Sequence, residues 1–306
     1  MTRAKAKISV VLPIFGTFDR DKLFLAVESI KMQDYPNVEI IISEQNNEST
    51  CRAFAKQQNI TYTFSKMRQD DSVYNIGYVR NQGIKAATGA YLYLTDSDIV
   101  FMGTTFLSEV LALYKKQKPA YLRYPPMRRM LEVHLDDFYQ STLTQGIGQA
   151  ISQLRFPDGY TTTVDEKDKI IVVKYGYYKK KYTIPQKYFK KISKKDLEKY
   201  GYGLMFFTTH PGTIFTETKH VVALGGYYEG FRGWGYDDVD LQVRLTALTN
   251  KRANAMPNKV AFRVLHLDHK MNFRKDLYHI NEAAFFERCE IPVKKLSKAD
   301  RTANKF

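Results

Sequence analysis

The sequence predicts an α/β fold built on a mostly parallel sheet, and three observations carry that expectation. Apolar, β-branched runs of strand length recur at 8–15, 38–42 and 90–95, with a weaker one at 60–64. Segments of helical period separate them, at 22–33 and 74–84, joined by short links. Each strong run also stops at polar residues. Strand, helix, strand in this rhythm implies parallel pairing with right-handed crossovers, and ligands on such sheets bind beyond the carboxyl ends of the strands.

The first strand, Ile8 to Phe15, is broken by Pro13 near its end. The helix that follows places Leu23, Ala26, Val27 and Ile30 on one face, and Tyr35-Pro36-Asn37 ends it. Val38 to Ile42 is the second buried strand, closing on Ser43-Glu44-Gln45. Ala90 to Thr95 is a further strand that ends in Asp96-Ser97-Asp98. Two carboxylates one residue apart at such an end can address an oxygen-loving cation; an Asx turn is the plain alternative.

From residue 119 the pattern changes, and 119–202 reads as an insertion. It carries Pro125-Pro126, Arg128-Arg129, a helical stretch from Ser141 to Leu154, and a hairpin and helix over 168–202 crowded with lysines and tyrosines. A solvated face, an acceptor contact and a membrane contact all suit such a surface. The regular pattern resumes at Leu204 to Thr209 and passes through His210-Pro211-Gly212. A later strand from Lys259 closes on His266 and His269, a spacing that gains weight where a metal is suspected. The tail from Lys294 is polar and basic, which reads as disorder or peripheral anchoring.

The densest stretch is Gly233-Trp234-Gly235-Tyr236-Asp237-Asp238-Val239-Asp240. Leu241, Leu245 and Leu248 follow at helical spacing, so the acids occupy the first turn of a helix with an apolar stripe. Asp240 can pair with Arg244 four residues on. One Asp is explained that way. Three neighbouring carboxylates raise each other's pKa unless a substrate, cation or solvent relieves them.

Composition narrows the classes. The chain of 306 residues is 44% hydrophobic, which fits a globular protein of one elaborated domain or two intimately packed halves. No apolar run approaches the ~20 residues of a membrane span and no signal-peptide core opens the sequence, so a cytoplasmic protein is expected. Cys51 and Cys289 have neither the number nor the spacing of a disulfide framework or zinc site. The net charge of +15, from 47 basic and 32 acidic side chains, favours an anionic counterpart. A nucleic-acid-binding protein is one alternative reading, opposed by the acids clustered at strand ends.

With these residues assembled, the chain resembles the sugar-nucleotide-dependent glycosyltransferases of the GT-A fold. Its carboxyl half is similar to the β-1,4-galactosyltransferase and polypeptide N-acetylgalactosaminyltransferase type of domain, also found in bacterial capsule polymerases. Residues 233–240 resemble that family's Gly-Trp-Gly-Gly-Glu-Asp-Asp-Asp signature, with Asp237 where the family has Glu. Tyr74 to Ile84 is similar to its Phe-Asn-Arg-Ala-Lys-Leu-Leu-Asn-Val-Gly-Phe segment, and Asp96-Ser97-Asp98 to its Asp-x-Asp.

The resemblance implies a single GT-A catalytic domain over 1–306. Residues 8–118 would form the nucleotide-sugar half, 119–202 the insertion, 203–285 the acceptor and catalytic half, and 286–306 a basic tail. It implies Asp238 as general base, with Pro13, Phe15, Glu44, Asn75, Arg80, Asp96 and Gly212 toward the nucleotide sugar. Trp234, Tyr236 and Asp237 would face the acceptor or the transferred sugar. Mn2+ or Mg2+ would sit on Asp98 with Asp96 beside it, and His266 or else His269 would be the second ligand. The function implied is inverting transfer of galactose or N-acetylgalactosamine from a UDP-sugar to a glycan or lipid-linked glycan in surface polysaccharide synthesis. The inner membrane face is an expected contact and nucleic acid is not; a catalytically silent scaffold is the other alternative.

Overall fold

The computed structural model describes residues 6–16, 20–67, 75–130, 134–154, 210, 212–269 and 274–306, together with the backbone of three strands between 161 and 183. Strands and helices alternate first: β1 (Ile8–Phe15), α1 (Arg20–Lys31), β2 (Val38–Asn46), α2 (Arg52–Gln57), β3 (Thr61–Lys66), α3 (Ile76–Ala86) and β4 (Tyr91–Leu94). β5 (Ile99–Phe101), α4 (Phe106–Gln117), β6 (Leu122–Arg123), β7 (Met127–Met130), α5 (Leu135–Gln145) and α6 (Ile147–Gln153) follow. Next come β8 (Thr161–Asp165), β9 (Ile170–Tyr175) and β10 (Tyr178–Thr183). The carboxyl part contributes β11 (Ile214–Glu217), α7 (Thr218–Leu224), α8 (Asp237–Thr249), β12 (Asn254–Ala255), β13 (Val264–Leu267), α9 (Lys275–Cys289) and α10 (Val293–Asn304).

The central sheet runs β12-β6-β11-β4-β1-β2-β3. β4, β1, β2 and β3 are parallel, while β11 runs antiparallel to both β4 and β6. β1 is buried on both faces, as a parallel strand under two helical layers must be. Val10, Leu12 and Ile14 pack with Leu23, Val27 and Ile30 of α1; Val11 packs on the other face with Ile84 of α3 and Leu241 and Leu245 of α8. The side-chain period of two divides the residues this way. Gly83 lets α3 approach closely, since a Cβ there would lie 2.5 Å from Val11 Cγ1.

A second sheet, β5-β13-β7, pairs β13 antiparallel with β5 and parallel with β7. It brings the segment after β4 against a strand far along the chain, with Ile99 opposite His266.

Two expectations about organisation are corrected. The front of the expected insertion belongs to the core: β6 hydrogen-bonds within the central sheet, and α5 and α6 pack beside Leu25 of α1. The helix expected over Ser141 to Leu154 is two, divided at Gly146. Farther on, the expected hairpin is β9 and β10, and β8 adds a third antiparallel strand. The helix expected after it and the strand Leu204 to Thr209 lie outside the described residues.

The basic tail is likewise no loose end. α10 buries Leu296, Ser297, Asp300 and Asn304, one stripe at helical spacing. No helix among the described residues is long and apolar enough to cross a membrane.

Candidate active site

The site forms where β4 ends and β5 begins. Asp96 and Asp98 occupy the link between them, and Leu267 of β13 donates its N–H to the Asp98 carbonyl at 3.0 Å. That bond sets the end of β13 beside the link. His269 Nε2 lies 3.0 Å and His266 Nε2 3.6 Å from Asp98 Oδ2. These three residues offer ligand atoms within 4.8 Å of one another. Asp98 Oδ1 is buried and has no hydrogen-bond partner, a costly state for a carboxylate oxygen unless a cation relieves it. Two imidazoles and a carboxylate suit a divalent ion of the first transition row. Both histidines join the cluster, not one or the other.

The Asp98 carboxyl is pushed up by burial, but His266 and the His269 hydrogen bond outweigh this and hold it below its ordinary range. His266 Nδ1 is 3.0 Å from Asp268 Oδ1, and Arg129 donates to the same oxygen at 2.5 Å. Burial raises the Asp268 carboxyl; His266 and Arg129 bring it below the usual value.

A second cluster is centred on Arg80, from α3. Its guanidinium is 3% exposed and donates to Asp237 Oδ2 at 2.8 Å, Asp238 Oδ1 at 2.7 Å and Asp96 Oδ1 at 2.8 Å. Burial opposes its charge, and the surrounding acids overcome that and hold it firmly protonated. Arg80 was expected near a diphosphate. Its terminal nitrogens bind three carboxylates of the protein, one from the link after β4 and two from the first turn of α8.

Asp96 Oδ2 also accepts from His210 Nε2 at 3.1 Å, while His210 Nδ1 meets Thr213 Oγ1 at 2.7 Å. Burial raises the Asp96 carboxyl, but the His210 hydrogen bond and Arg80 hold it far below the ordinary range. Among the described residues the three-residue cluster does not include Asp96, which is held by Arg80 and His210. His210 escaped the sequence reading, since one His beside Pro-Gly carries no pattern.

Asp238 has the opposite character. Burial pushes its carboxyl well up; Arg80 opposes this, and Asp237 and Asp96 add to it. Tyr227 donates its hydroxyl to Asp238 Oδ1 at 3.2 Å. The other oxygen faces Gly212, where an added Cβ would lie 3.2 Å from Asp238 Oδ2 and 3.4 Å from Asp96 Oδ2. A side chain there would press on Asp238 and touch Asp96. Asp237 is raised too, chiefly by burial, despite Arg80.

The loop before α8 turns through positive φ at Gly233, Gly235 and Tyr236. Trp234 is 50% exposed and lies nearly parallel to Tyr278 of α9, ring centres 6.1 Å apart. Tyr236 donates its hydroxyl to Glu282 at 2.6 Å. Asp240, on the same turn, faces away from the site. It binds Arg244 at 2.7 Å, as its spacing suggests, and also Arg288 at 2.8 Å, which reaches Asp300 of α10 at 2.7 Å.

Two residues expected toward the nucleotide sugar make hydrogen bonds within the protein. Glu44 is 1% exposed, and its oxygens accept from Thr50 N and Oγ1, Cys51 N, the Tyr62 hydroxyl and Asn46 Nδ2. It ties the β2 loop to α2. Asn75 caps α3, accepting from Tyr78 N at 2.9 Å and donating to the Glu229 carbonyl at 2.8 Å. Pro13 and Phe15 do lie at the carboxyl end of β1, opposite Ser43 and Gln45. Tyr74 lies outside the described residues.

Comparison with known proteins agrees with this architecture. Residues 9–147 match Glycosyl transferase family 2, and residues 192–270 match the family described as N-terminal domain of galactosyltransferase. Both matched families are families of glycosyltransferases, one on each part of the chain, and the mostly parallel central sheet agrees with a GT-A fold. Its amino part is thus similar to family 2 and its carboxyl part to the galactosyltransferase type.

It is 23% identical to the uncharacterized glycosyltransferase YfnE of Bacillus subtilis, over 78% of this chain and 60% of that one. Identity is 22% to validoxylamine A glucosyltransferase of Streptomyces hygroscopicus subsp. jinggangensis, over 78% and 51%. Glycosyltransferase GlyG of Streptococcus pneumoniae is 35% identical over 30% of each chain. The chain spans about half to three fifths of the length of the first two relatives. A structure of S. aureus TarS 1–349 in complex with UDP superimposes with a TM-score of 0.46 and 14% identity, over 92% of this chain and 71% of that one.

Proposed function

We propose that this chain transfers a sugar from a UDP-sugar to a hydroxyl of a glycan or lipid-linked glycan, inverting the anomeric centre. Galactose or N-acetylgalactosamine is the favoured sugar, and surface polysaccharide synthesis the favoured setting. The observation that carries the reading is the bond from one buried Arg80 to both Asp238 and Asp96, two residues before the Asp98 cluster. Base and metal cluster thereby belong to one constellation.

In this reading the acceptor hydroxyl gives its proton to Asp238 as its oxygen attacks the anomeric carbon. The bond from that carbon to the diphosphate oxygen breaks on the opposite face, and the diphosphate leaves with the electron pair. The raised proton affinity of Asp238 makes it a better base than an ordinary aspartate. Arg80 and Tyr227 hold its Oδ1, leaving Oδ2 for the proton. Trp234 offers an apolar face to a sugar ring, and Asp237 would bind sugar hydroxyls on the same turn. Mn2+ or Mg2+ held by Asp98, His266 and His269 would neutralise the leaving diphosphate as a Lewis acid.

Release of free nucleotide from a panel of UDP- and GDP-sugars, with Mn2+ and with a chelator, tests this directly. Metal-dependent release from one UDP-sugar is expected. No release, together with no rise in Tm on adding UDP and Mn2+, would end the reading, because a ligand of the native state must raise Tm. The basic excess fits an anionic surface at the inner membrane face. Sedimentation with anionic vesicles reports on that contact, and no binding at low salt removes it.

A further inference from the structure

We infer that Asp268 and Arg129 are positioning residues for the metal cluster, a carboxylate and guanidinium relay that orients His266 so that its Nε2 faces the ion. This rests on the metal reading above and concerns residues to which that reading gives no role.

The geometry is built into two hydrogen-bonded strands. His266 stands in register with Arg129 across the β13 and β7 pair, and Asp268 N donates to the Met130 carbonyl at 2.9 Å, so the pairing continues past the ring. Ring, carboxylate and guanidinium are therefore fixed to one backbone frame. Asp268 Oδ1 receives both His266 Nδ1 at 3.0 Å and Arg129 at 2.5 Å. All three side chains are at most one quarter exposed: 13%, 17% and 25% for His266, Asp268 and Arg129.

A carboxylate can only accept at that contact. Nδ1 of His266 must then carry the hydrogen, which in the neutral ring leaves Nε2 with the lone pair. Nε2 points toward Asp98 Oδ2 but stops at 3.6 Å, beyond hydrogen-bond range. A ring whose outer nitrogen is held by a carboxylate and whose inner nitrogen faces another ligand is the arrangement by which proteins orient metal-binding histidines and raise their basicity. Arg129 completes it by fixing the carboxylate and balancing its charge. His269 has a side chain 44% exposed. The two histidines are thus unequal ligands, with His266 the preset one.

The test compares Mn2+ affinity, by calorimetry on the full chain without donor, for wild type, Asp268→Asn, Asp268→Ala and Arg129→Gln. Losing the orienting group should weaken Mn2+ binding about 10- to 100-fold in Asp268→Ala. Asp268→Asn keeps an acceptor oxygen and should fall between Asp268→Ala and wild type. Arg129→Gln should lose less than Asp268→Ala, with Tm near wild type in all three variants.

A second readout needs no metal. Long-range 15N–1H spectra of the metal-free protein should show His266 with its hydrogen on Nδ1 in wild type, and a shift toward the other tautomer in Asp268→Ala. Wild-type Mn2+ binding with unchanged affinity in Asp268→Ala, or an unchanged His266 tautomer there, would overturn this inference and leave the metal reading standing. No Mn2+ binding by the wild type would overturn both.

Discussion

Two arginine and carboxylate clusters hang from the first turn of α8, and they are built differently. On one side Asp237 and Asp238 join Asp96 around Arg80, three acids to one cation. On the other, Asp240 and Asp300 meet Arg244 and Arg288, two acids to two cations. The balanced cluster is closed: the Asp240 and Asp300 side chains are 3% and 6% exposed. The unbalanced one is open, with Asp238 and Asp96 at 22% and 40%. Surplus negative charge persists where a substrate or cation can reach it, and is matched where nothing can. On the proposed function, a single turn separates the acids given to chemistry from the one that holds the fold.

The largest effect that would break this division is on turnover. Asp238→Asn should lower kcat by about 10²- to 10⁴-fold, the range for a lost general base, without lowering Tm. Full turnover in that variant would remove the base from the scheme. Asp240→Asn should do the reverse. It leaves two buried arginines with one acid, and breaking such a group costs about 3–5 kcal/mol. Chemical denaturation should show that loss while kcat per folded molecule stays near wild type. Unchanged stability with lost turnover would place Asp240 in the chemistry and dissolve the comparison.

A smaller effect appears in pH dependence. Asp238 is raised by burial and by its acidic neighbours against the pull of Arg80, so the acid limb of turnover should lie above the ordinary carboxylate range. Its contribution to stability has the opposite slope. A carboxyl whose folded pKa is raised stabilises the fold below its unfolded pKa and loses that contribution as pH rises through the folded value. Asp98 and Asp268 are lowered, so what they contribute is present above their unfolded pKa and lost as pH falls. The Tm difference between Asp238→Asn and wild type should therefore grow in favour of the variant from acid toward neutral pH. A flat difference would mean that Asp238 titrates as an ordinary aspartate.

The legibility of the chain follows the same division between local and distant contacts. β1, β2, β4, α3 and the stripe of α8 were readable because burial repeats at fixed spacing along one segment. Asp240 with Arg244 was readable because four residues on a helix are neighbours. Arg80 was not: its acids lie 16, 157 and 158 positions away, and periodicity carries no such information. β5 has three residues, too few for a period to register, yet its pairing with β13 brings Asp98 to His266. α10 escaped because its buried stripe is mostly polar. Ser297, Asp300 and Asn304 are covered through hydrogen bonds, and a hydrophobic pattern has little there to detect.

That tail helix leads to the smallest effect. Asn304 donates to the carbonyls of Gly225 and Tyr227, and Asn81 holds Tyr227 from the other side by its N–H and carbonyl. Tyr227 is fully buried, its ring 5.1 Å below the Arg80 guanidinium and its hydroxyl on Asp238 Oδ1. Tyr227→Phe keeps the ring and removes one donor from the base. A hydrogen bond to a charged group is worth about 1.5–3 kcal/mol, and at 3.2 Å the lower end applies, roughly tenfold in rate. That donor favours the carboxylate, so its loss moves the acid limb of turnover to higher pH. The deficit should be largest on the acid side and shrink as pH rises past the limb, with Tm little changed. An equal deficit at every pH would mean that the hydroxyl positions Asp238 without tuning it.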